Sequence, residues 1–247
     1  MKPACRLVTM LVILIFLWQG IVMWWEIPAY FLPTPYRVFQ SIAEQKYLLL
    51  MHAGPTVLEI ILGFFCGVIL GIAAGALATF SRTLTPWVLP LLIMSQAIPT
   101  FAIAPVIVIW LGFGLSSKVA ITALMIFFPV MSAMYDGLRQ TPPYWLELAK
   151  NMQATPLRIF CFIRFPAALP SLASGLRIAA VIAPIGAIVG EWVGSSRGLG
   201  FLMINANARL QIDQMFAALS ILMLLALGLY FTTDYILRKL IWWEPST

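Results

Sequence analysis

Few side chains of this 247-residue chain could take part in covalent chemistry. His52 is the single histidine, and Cys5, Cys66 and Cys161 are too few and too scattered for a metal cluster or a disulfide framework. The sequence contains neither an HExxH metal motif nor a GxxxxGKS/T phosphate loop. We therefore expect no catalytic residue, no metal site and no cofactor bound by this chain, and we expect His52 to lie at the surface.

Three acidic residues fall inside apolar segments, where ionisable groups are usually functional. Glu59 lies near the start of one segment, where we expect solvent to reach it. Asp234 precedes an arginine by four residues, a helical spacing that predicts an ion pair. Glu191 lies near the end of another segment. Two roles stay open for it, a place on a polar pathway or a structural bond to Arg197 or Arg209.

A small polar cluster lies beside a proline in a further apolar segment. Ser95, Gln96 and Thr100 flank Pro99. Proline in a membrane helix frees carbonyl groups, which must find partners in neighbouring helices or line a polar cavity. The cluster is therefore our first candidate for a pathway across the membrane. Hydrogen bonding between helices explains it equally well.

The elements that hold these residues must be membrane helices. Hydrophobic residues make up 62% of the chain, charged residues only 10%, and the mean hydropathy is +0.97, whereas typical soluble chains are about 25% charged. A helical span needs about 20 apolar residues, so this length accommodates about five to seven spans and no separate soluble domain. The net charge of +6 is then an orientation signal and not a sign of nucleic-acid binding.

Six spans are the most economical interpretation of the hydropathy pattern. The first is too long for a cleaved signal peptide and no small-x-small site follows it, so we expect it to be retained. Residues 1–55 then hold the first span and an external connection, and residues 56–240 hold the core. The predicted spans are residues 7–25, 56–80, 87–111, 119–135, 172–193 and 216–237.

The distribution of lysine and arginine predicts the orientation. With the N-terminus in the cytoplasm, nine of the 15 Lys and Arg residues lie inside, five lie outside, and Arg177 lies within the fifth span. Cytoplasmic loops carry the excess of these residues. We therefore predict a multi-pass protein with both termini and residues 139–170 in the cytoplasm.

The second predicted span carries a glycine every four residues, which places all of them on one helix face. Such a stripe lets another backbone approach closely. A helix contact within one subunit and an interface between subunits are the two explanations. The glycines are Gly63, Gly67, Gly71 and Gly75.

A polar loop, residues 139–170, separates two long apolar blocks and carries four of the 15 Lys and Arg residues. Thr141 before two prolines predicts the start of one short helix, and Thr155 before Pro156 predicts the start of a second. A tight turn at Gln153 and Ala154 separates them. We expect Pro166 to end or kink the second helix.

The first of these helices is amphipathic. Its apolar residues follow the spacing i, i+3, i+4 and i+7, with Glu147 and Lys150 on the other side. The stripe could rest on the lipid interface or dock in a groove of a soluble partner. Glu147 could serve recognition or pair with Lys150. The stripe consists of Trp145, Leu148, Ala149 and Met152.

The polar loop resembles the coupling loop of bacterial ABC importer permeases. That pattern is Glu-Ala-Ala, three residues, Gly, nine residues, Ile, one residue, Leu-Pro. This chain has Glu147-Leu148-Ala149, Gln153, Ile163 and Phe165-Pro166 at the same spacing. Gln153 is the main departure, because glycine enters a left-handed turn at little cost whereas another residue costs about 1 kcal/mol there. Either the turn avoids that conformation or the docking geometry differs.

The resemblance continues from about residue 56 to residue 237. Residues 98–118 and 166–179 are similar to permeases of the sulfonate, nitrate and taurine group. Residues 184–218 are most similar to the branch that imports pyrimidine precursors of thiamine. The resemblance implies an all-α polytopic fold of the type I importer class. It also implies that the coupling residues are Tyr144, Trp145, Glu147, Leu148, Ala149, Met152, Gln153 and Ala154.

A permease of this family is not an enzyme, and the resemblance implies that ATP and Mg²⁺ act in a partner ATPase. It implies a homodimer of this chain in a bacterial inner membrane, with an ATPase subunit dimer, an external binding protein and transport by alternating access. The expected solute is a thiamine-precursor pyrimidine such as hydroxymethylpyrimidine. Sulfonates, taurine, nitrate and riboflavin-like compounds are the alternatives.

Charge within the spans bears on the solute and on the class of transporter. Arg177 is the only cation inside a predicted span, and we expect it at the inner interface, which favours a neutral or weakly basic solute over an anion. An autonomous secondary transporter or channel is the rival class. It would need a coupling charge at mid-membrane or an inverted repeat, and the sequence shows neither.

Overall fold

The computed structural model describes residues 3–80, 90 and 99–243, and these residues are almost entirely helical. A π-helical turn, Phe160–Arg164, joins the seventh helix to the eighth. The prediction of an all-α fold is confirmed. In chain order the helices are α1 Pro3–Trp24, α2 Pro35–Glu44, α3 Lys46–Phe80, α4 Thr100–Leu111, α5 Leu115–Arg139, α6 Pro143–Asn151, α7 Pro156–Ile159, α8 Phe165–Gly194, α9 Leu199–Ala208 and α10 Ile212–Leu240.

Among the described residues, four helical stretches are long and apolar enough to cross a membrane, namely α3, α5, the run from α7 through α8, and α10. They coincide with the second, fourth, fifth and sixth predicted spans, although α3 begins at Lys46, well before the predicted start at residue 56. The first predicted span corresponds to α1. Only the end of the third corresponds to α4, because residues 81–89 and 91–98 lie outside the described part of the chain. The short apolar helix α9 was not predicted.

The connection between α1 and α3 contains the amphipathic helix α2, which the sequence alone did not reveal. Its start follows the usual chemistry, since the Thr34 hydroxyl accepts a hydrogen bond from the Arg37 N–H at 3.3 Å and Pro35 opens the helix. Val38 and Ser41 are buried, whereas Phe39 on the same helix is 76% exposed.

The chain divides into two compact units. The first combines Met1–Thr56 with Ser196–Met223, and the second combines Val57–Ser195 with Leu224–Thr247. Helices α3 and α10 therefore contribute residues to both units. The polar loop and its two flanking helices belong to the second unit. The division into residues 1–55 and 56–240 stays a prediction.

The glycine stripe of α3 packs against α5 of the same chain. A Cβ atom on Gly75 would lie only 2.8 Å from the Met131 carbonyl oxygen, so the two backbones approach as closely as glycine allows. The facing residues of both helices advance together, and α3 and α5 therefore run parallel. Of the two explanations offered for the stripe, the structure shows the helix contact within one subunit. From Gly63 to Gly75 the facing residues of α5 are Thr122, Ile126, Val130 and Met134.

Helices α5 and α8 form a hairpin whose connection is the polar loop. A Cβ atom on Gly137 would lie 2.9 Å from the Ala168 carbonyl oxygen, and one on Gly175 would lie 2.9 Å from the Pro129 carbonyl oxygen. Close contacts of this kind recur toward the other end of the hairpin. Helix α5 therefore packs backbone to backbone against both α3 and α8.

Candidate functional site

The polar loop forms two short helices, as predicted. The Thr155 hydroxyl caps α7 by accepting a hydrogen bond from the Arg158 N–H at 3.4 Å. The predicted cap of α6 is wrong, because Pro142 occupies that position and makes no side-chain hydrogen bond. The buried Thr141 hydroxyl instead donates to the Leu138 carbonyl at 3.1 Å. It serves the end of α5, where the last carbonyl groups lack helical partners.

Gln153 adopts the left-handed conformation that the family pattern reserves for glycine. Its φ is +57°, so of the two alternatives the one in which the turn avoids this conformation is excluded. The Gln153 N–H donates to the Lys150 carbonyl at 2.9 Å, and the Ala154 N–H donates to the Ala149 carbonyl at 3.0 Å. These two bonds define a Schellman motif, which usually carries glycine at this position. The turn geometry is therefore kept, at the expense of backbone strain in Gln153.

Pro166 does not end the second helix of the polar loop. It lies in the first turn of α8, and the disturbance falls just before it, in the π-helical turn Phe160–Arg164. The Phe165 N–H bonds to the Phe160 carbonyl across this turn. Proline has no N–H to offer to the preceding turn, and a π-helical turn takes up an irregularity of this kind without breaking the helix.

The apolar stripe of α6 is only partly covered by its own subunit. Ala149 is 5% exposed, whereas Leu148 and Met152 are 61% and 75% exposed. The stripe forms one wall of a groove of about 400 Å³, and the other wall comes from the π-helical turn, the start of α8 and Trp243. Exposed apolar surface of this kind marks a contact with another protein or with lipid. The stripe is thus available to a partner.

The remaining predicted coupling residues share this surface. Tyr144 is 64% exposed and stands edge-on to Trp145, with ring centroids 5.9 Å apart. Glu147 is exposed, and no ion pair joins it to Lys150, since the ion pairs among the described residues lie in other places. Ala154 follows the strained turn and is half-buried. The structure therefore brings the predicted coupling residues together on one exposed element.

The candidates for a polar pathway are only partly described. Ser95 and Gln96 lie outside the described residues. Pro99 precedes α4 and is exposed, and Thr100 begins that helix and is half-buried. Glu191 lies near the end of α8 and is 1% exposed, so its side chain is enclosed within its own subunit. The structure does not bring Glu191 together with Thr100 on one exposed surface.

A buried charged cluster, formed by Glu59, Lys118, Glu191 and Ser195, joins α3, α5 and the end of α8. The ammonium nitrogen of Lys118 lies 3.0 Å from Oε1 of Glu59 and donates to the Ser195 hydroxyl at 2.8 Å. Glu191 is in electrostatic contact with Glu59. Glu59 is 1% exposed and Lys118 is 8% exposed. The expectation that solvent reaches Glu59 is therefore wrong, because α5 and α8 cover it.

The sequence carried a signal for this ion pair that its interpretation missed. Glu59 precedes Gly63 by four residues, and Lys118 precedes Thr122 by four. Because Gly63 faces Thr122, the same helical spacing places Glu59 opposite Lys118. Only knowledge that α3 packs parallel to α5 turns these two spacings into a prediction.

A second ionic group lies at the end of α10. Asp234 accepts a hydrogen bond from Arg238 at 2.8 Å, as its spacing predicted, and another from Arg177 of α8, also at 2.8 Å. Arg177 is therefore already held by a carboxylate. The side chain of Asp234 is 14% exposed, while those of Arg177 and Arg238 are 32% and 65% exposed.

His52 is not the surface residue that the sequence suggested. Its Nδ1 lies 3.1 Å from the Gly198 nitrogen and 3.0 Å from the Gly198 oxygen, and its ring stacks on Phe201 at 6.0 Å between centroids. One turn further along α3, the Thr56 hydroxyl accepts a hydrogen bond from the Leu199 N–H at 2.8 Å. Both side chains thus accept hydrogen bonds from N–H groups at the start of α9, which have no partner within the helix.

A match to the family described as binding-protein-dependent transport system inner membrane component covers residues 67–242. The chain belongs to this family. It is therefore the membrane permease subunit of an ABC importer, and ATP hydrolysis takes place in a separate ATPase subunit. Membership in the family implies an ATPase partner and a substrate-binding protein.

Relatives of this permease support the assignment over nearly its whole length. A probable ABC transporter permease protein of Haemophilus influenzae is 51% identical, over 93% of this chain and 94% of the relative. The formylaminopyrimidine transport permease protein ThiX of Halalkalibacterium halodurans is 38% identical, over 82% and 84%. Other relatives are named for the transport of riboflavin and of aliphatic sulfonates.

A solved structure supports the fold. The inward-facing MetNI methionine ABC transporter matches 79% of this permease and 97% of its own chain, with a TM-score of 0.68 at 22% sequence identity. The predicted fold class of a type I ABC importer permease is confirmed.

Proposed function

We propose that this permease imports a pyrimidine precursor of thiamine, of the hydroxymethylpyrimidine or formylaminopyrimidine kind. The supporting observation is the 38% identity to a formylaminopyrimidine permease over 82% of this chain. A riboflavin permease at 34% and an aliphatic sulfonate permease at 30% identity support the alternatives less strongly.

The charges of the second unit also favour a neutral or weakly basic solute. A pathway for a sulfonate needs a cation that is free to meet it. Arg177 is held by Asp234 at 2.8 Å, and Lys118 is held by Glu59 at 3.0 Å. Each of these two cations is therefore engaged by a carboxylate of the same chain and is not ready to receive an anion.

The complex that we propose contains two copies of this permease, two ATPase subunits and one external binding protein. ATP and Mg²⁺ bind in the ATPase subunits. Their closure moves the polar loop, and the spans then open toward the binding protein and afterwards toward the cytoplasm. Both termini and the polar loop face the cytoplasm of a bacterial inner membrane. The pathway lies beside Ser95, Gln96, Pro99, Thr100 and Glu191.

The exposed stripe and Glu147 form the ATPase-docking surface in this proposal. Leu148 and Met152 supply apolar area, and Glu147 supplies a charge that no residue of the described chain neutralises by an ion pair. The other docking residues are Tyr144, Trp145, Ala149, Gln153 and Ala154.

A pull-down in mild detergent tests the docking surface. The tagged permease is purified from its native membrane, and the accompanying proteins are identified by mass spectrometry. We expect an ATPase with the wild-type chain and its loss with Glu147→Arg. Glu44→Arg is the matched control, because it makes the same change on an exposed glutamate of α2. An ATPase that stays bound to Glu147→Arg would exclude Glu147 from the docking surface.

The solute is tested on the binding protein that accompanies the complex. Its melting temperature is measured with hydroxymethylpyrimidine, formylaminopyrimidine, riboflavin, taurine and an alkyl sulfonate. We expect stabilisation by a pyrimidine alone, since ligand that binds only the folded state raises the melting temperature. Stabilisation by taurine or a sulfonate instead would replace the pyrimidine proposal with the anion alternative.

A further inference from the structure

The contact between α3 and α5 leaves their register weakly determined by packing. One side of the contact is a row of identical residues, since every fourth position of α3 from Gly63 to Gly75 is glycine. If α3 slid by one helical turn, about 5.4 Å, three of the four glycines would still face residues on the same side of α5. Those residues are Thr122, Ile126, Val130 and Met134. A repeat of this kind resists sliding less than a row of side chains of different shapes does.

The contact between α5 and α8 is different. Its glycines stand at irregular intervals and come from both helices, with Gly137 on α5 and Gly175, Gly186 and Gly190 on α8. A shift of one turn would drive side chains into backbone atoms that are now 2.7 to 3.1 Å from the ideal Cβ positions. Packing alone therefore fixes the register of this hairpin, and its two arms move as one body.

The buried charged cluster lies at the end of the α3–α5 contact that is farthest from the polar loop. Its ion pair is directional, since Lys118 and Glu59 meet at 3.0 Å and Lys118 also bonds to Ser195 at 2.8 Å. A slip of one turn would separate Lys118 from Glu59 and leave the Glu59 carboxylate buried without its cation, which is strongly unfavourable. Buried polar groups are best known for this role of selecting one register.

We propose that Lys118 is a positioning residue that fixes the register of α3 against the α5–α8 hairpin. When the polar loop moves, the α5–α8 hairpin then carries α3 with it, and the helices do not slide past one another. The register itself follows from the geometry above. Its consequence for transport rests on the proposed coupling of the polar loop to the ATPase.

Distance measurement by pulsed electron paramagnetic resonance tests the register. Spin labels are placed at Leu62 on α3 and Asp136 on α5, both exposed, in a chain whose three cysteines are serine. We expect one distance for the parent chain in lipid nanodiscs. Lys118→Met should add a second population displaced by about 5 Å, one helical turn. Lys118→Arg keeps the cation and should restore the single distance.

ATP hydrolysis of the complete complex tests the consequence. The stimulation of hydrolysis by the binding protein is compared with the basal rate, because this ratio does not depend on how much complex assembles. We expect Lys118→Met to lower the ratio by about ten-fold, an ordinary size for coupling between distant sites. Asp234→Asn disrupts the ionic group at the end of α10 and should leave the ratio unchanged.

Each outcome decides one part of the proposal. A single, parental distance in Lys118→Met would overturn the assignment of Lys118 to register. Two distances with an unchanged hydrolysis ratio would overturn its role in coupling. If Lys118→Met does not assemble, Glu59→Gln serves in its place, since it keeps the side-chain shape. The distance measurement needs no ATPase, so it stands even if no ATPase accompanies the permease.

Discussion

The two ends of the α5–α8 hairpin differ in which side chains they expose and which they bury. At the polar loop, apolar side chains are exposed, with Met152 at 75% and Leu148 at 61%. At the far end, charged side chains are buried, with Glu59 and Glu191 at 1%. An exposed apolar surface becomes stable only when a partner covers it. A buried ion pair is satisfied within the chain. The end at the polar loop thus presents a surface for another protein to bind. The far end holds the helices of the subunit in one arrangement.

Disruption of the buried charged cluster should have the largest effect on stability. Lys118→Met removes the cation that pairs with the enclosed Glu59 carboxylate and should lower the free energy of unfolding by about 3–5 kcal/mol. The measurement is thermal unfolding of the purified permease in detergent. Arg238→Met is the control, because that side chain is 65% exposed, and it should change stability by less than about 1 kcal/mol. Equal effects of the two changes would contradict the contrast between buried and exposed charge.

The glycine contact that links the two ends should be the next most sensitive feature. Gly71→Ala places a Cβ atom 2.9 Å from the Phe127 carbonyl oxygen and should cost about 1–3 kcal/mol. Gly54→Ala lies on the same helix with nothing within 4 Å of the new atom, and there the higher helix propensity of alanine should add up to about 1 kcal/mol. Unfolding in denaturant compares the two. Stabilisation by both would show that α3 is free to move away from α5.

Relief of the backbone strain in the turn of the polar loop should stabilise the protein. Gln153→Gly removes the side chain from a left-handed position and should raise stability by about 1 kcal/mol. Gln140→Gly is the control, since Gln140 ends α5 with a right-handed conformation, φ −76°. A gain in both variants, measured by thermal unfolding, would mean that the gain does not come from the backbone conformation of Gln153.

The exposed stripe should give the smallest change in stability. Met152→Ser removes an apolar side chain that is already 75% exposed, so the free energy of unfolding should change by less than about 0.5 kcal/mol. Binding of the ATPase should nevertheless weaken, which titration of the permease with the purified ATPase would show. Loss of stability without loss of binding would place Met152 inside the subunit fold.

The polar loop was largely predictable because its signals are local. Thr155 before Pro156, and the apolar spacing of α6, act within one or two helical turns. The error at Thr141 has the same origin. Its hydroxyl could serve the start of α6 or the end of α5, and only the packed structure shows that it bonds to Leu138.

The buried charged cluster was not predictable from local signals. Glu59 and Lys118 are far apart in the sequence, and each taken alone fits a solvated position near the end of a span. Their meeting depends on the parallel packing of α3 on α5. The same holds for His52 and Thr56, whose partners at the start of α9 lie more than 140 residues away.

The sequence by itself determined that this chain is an all-α membrane protein with a polar loop of two short helices, and the resemblance of that loop to a coupling loop indicated a permease. Hydropathy, proline caps and helical periodicity are properties of a single segment. They predict its structure without knowledge of the helices that pack against it. Tertiary structure alone decided which charges are buried, which helix the glycines of α3 meet, and in which register α3 lies on α5. Those properties belong to pairs of helices, and burial is set by whatever packs against a residue.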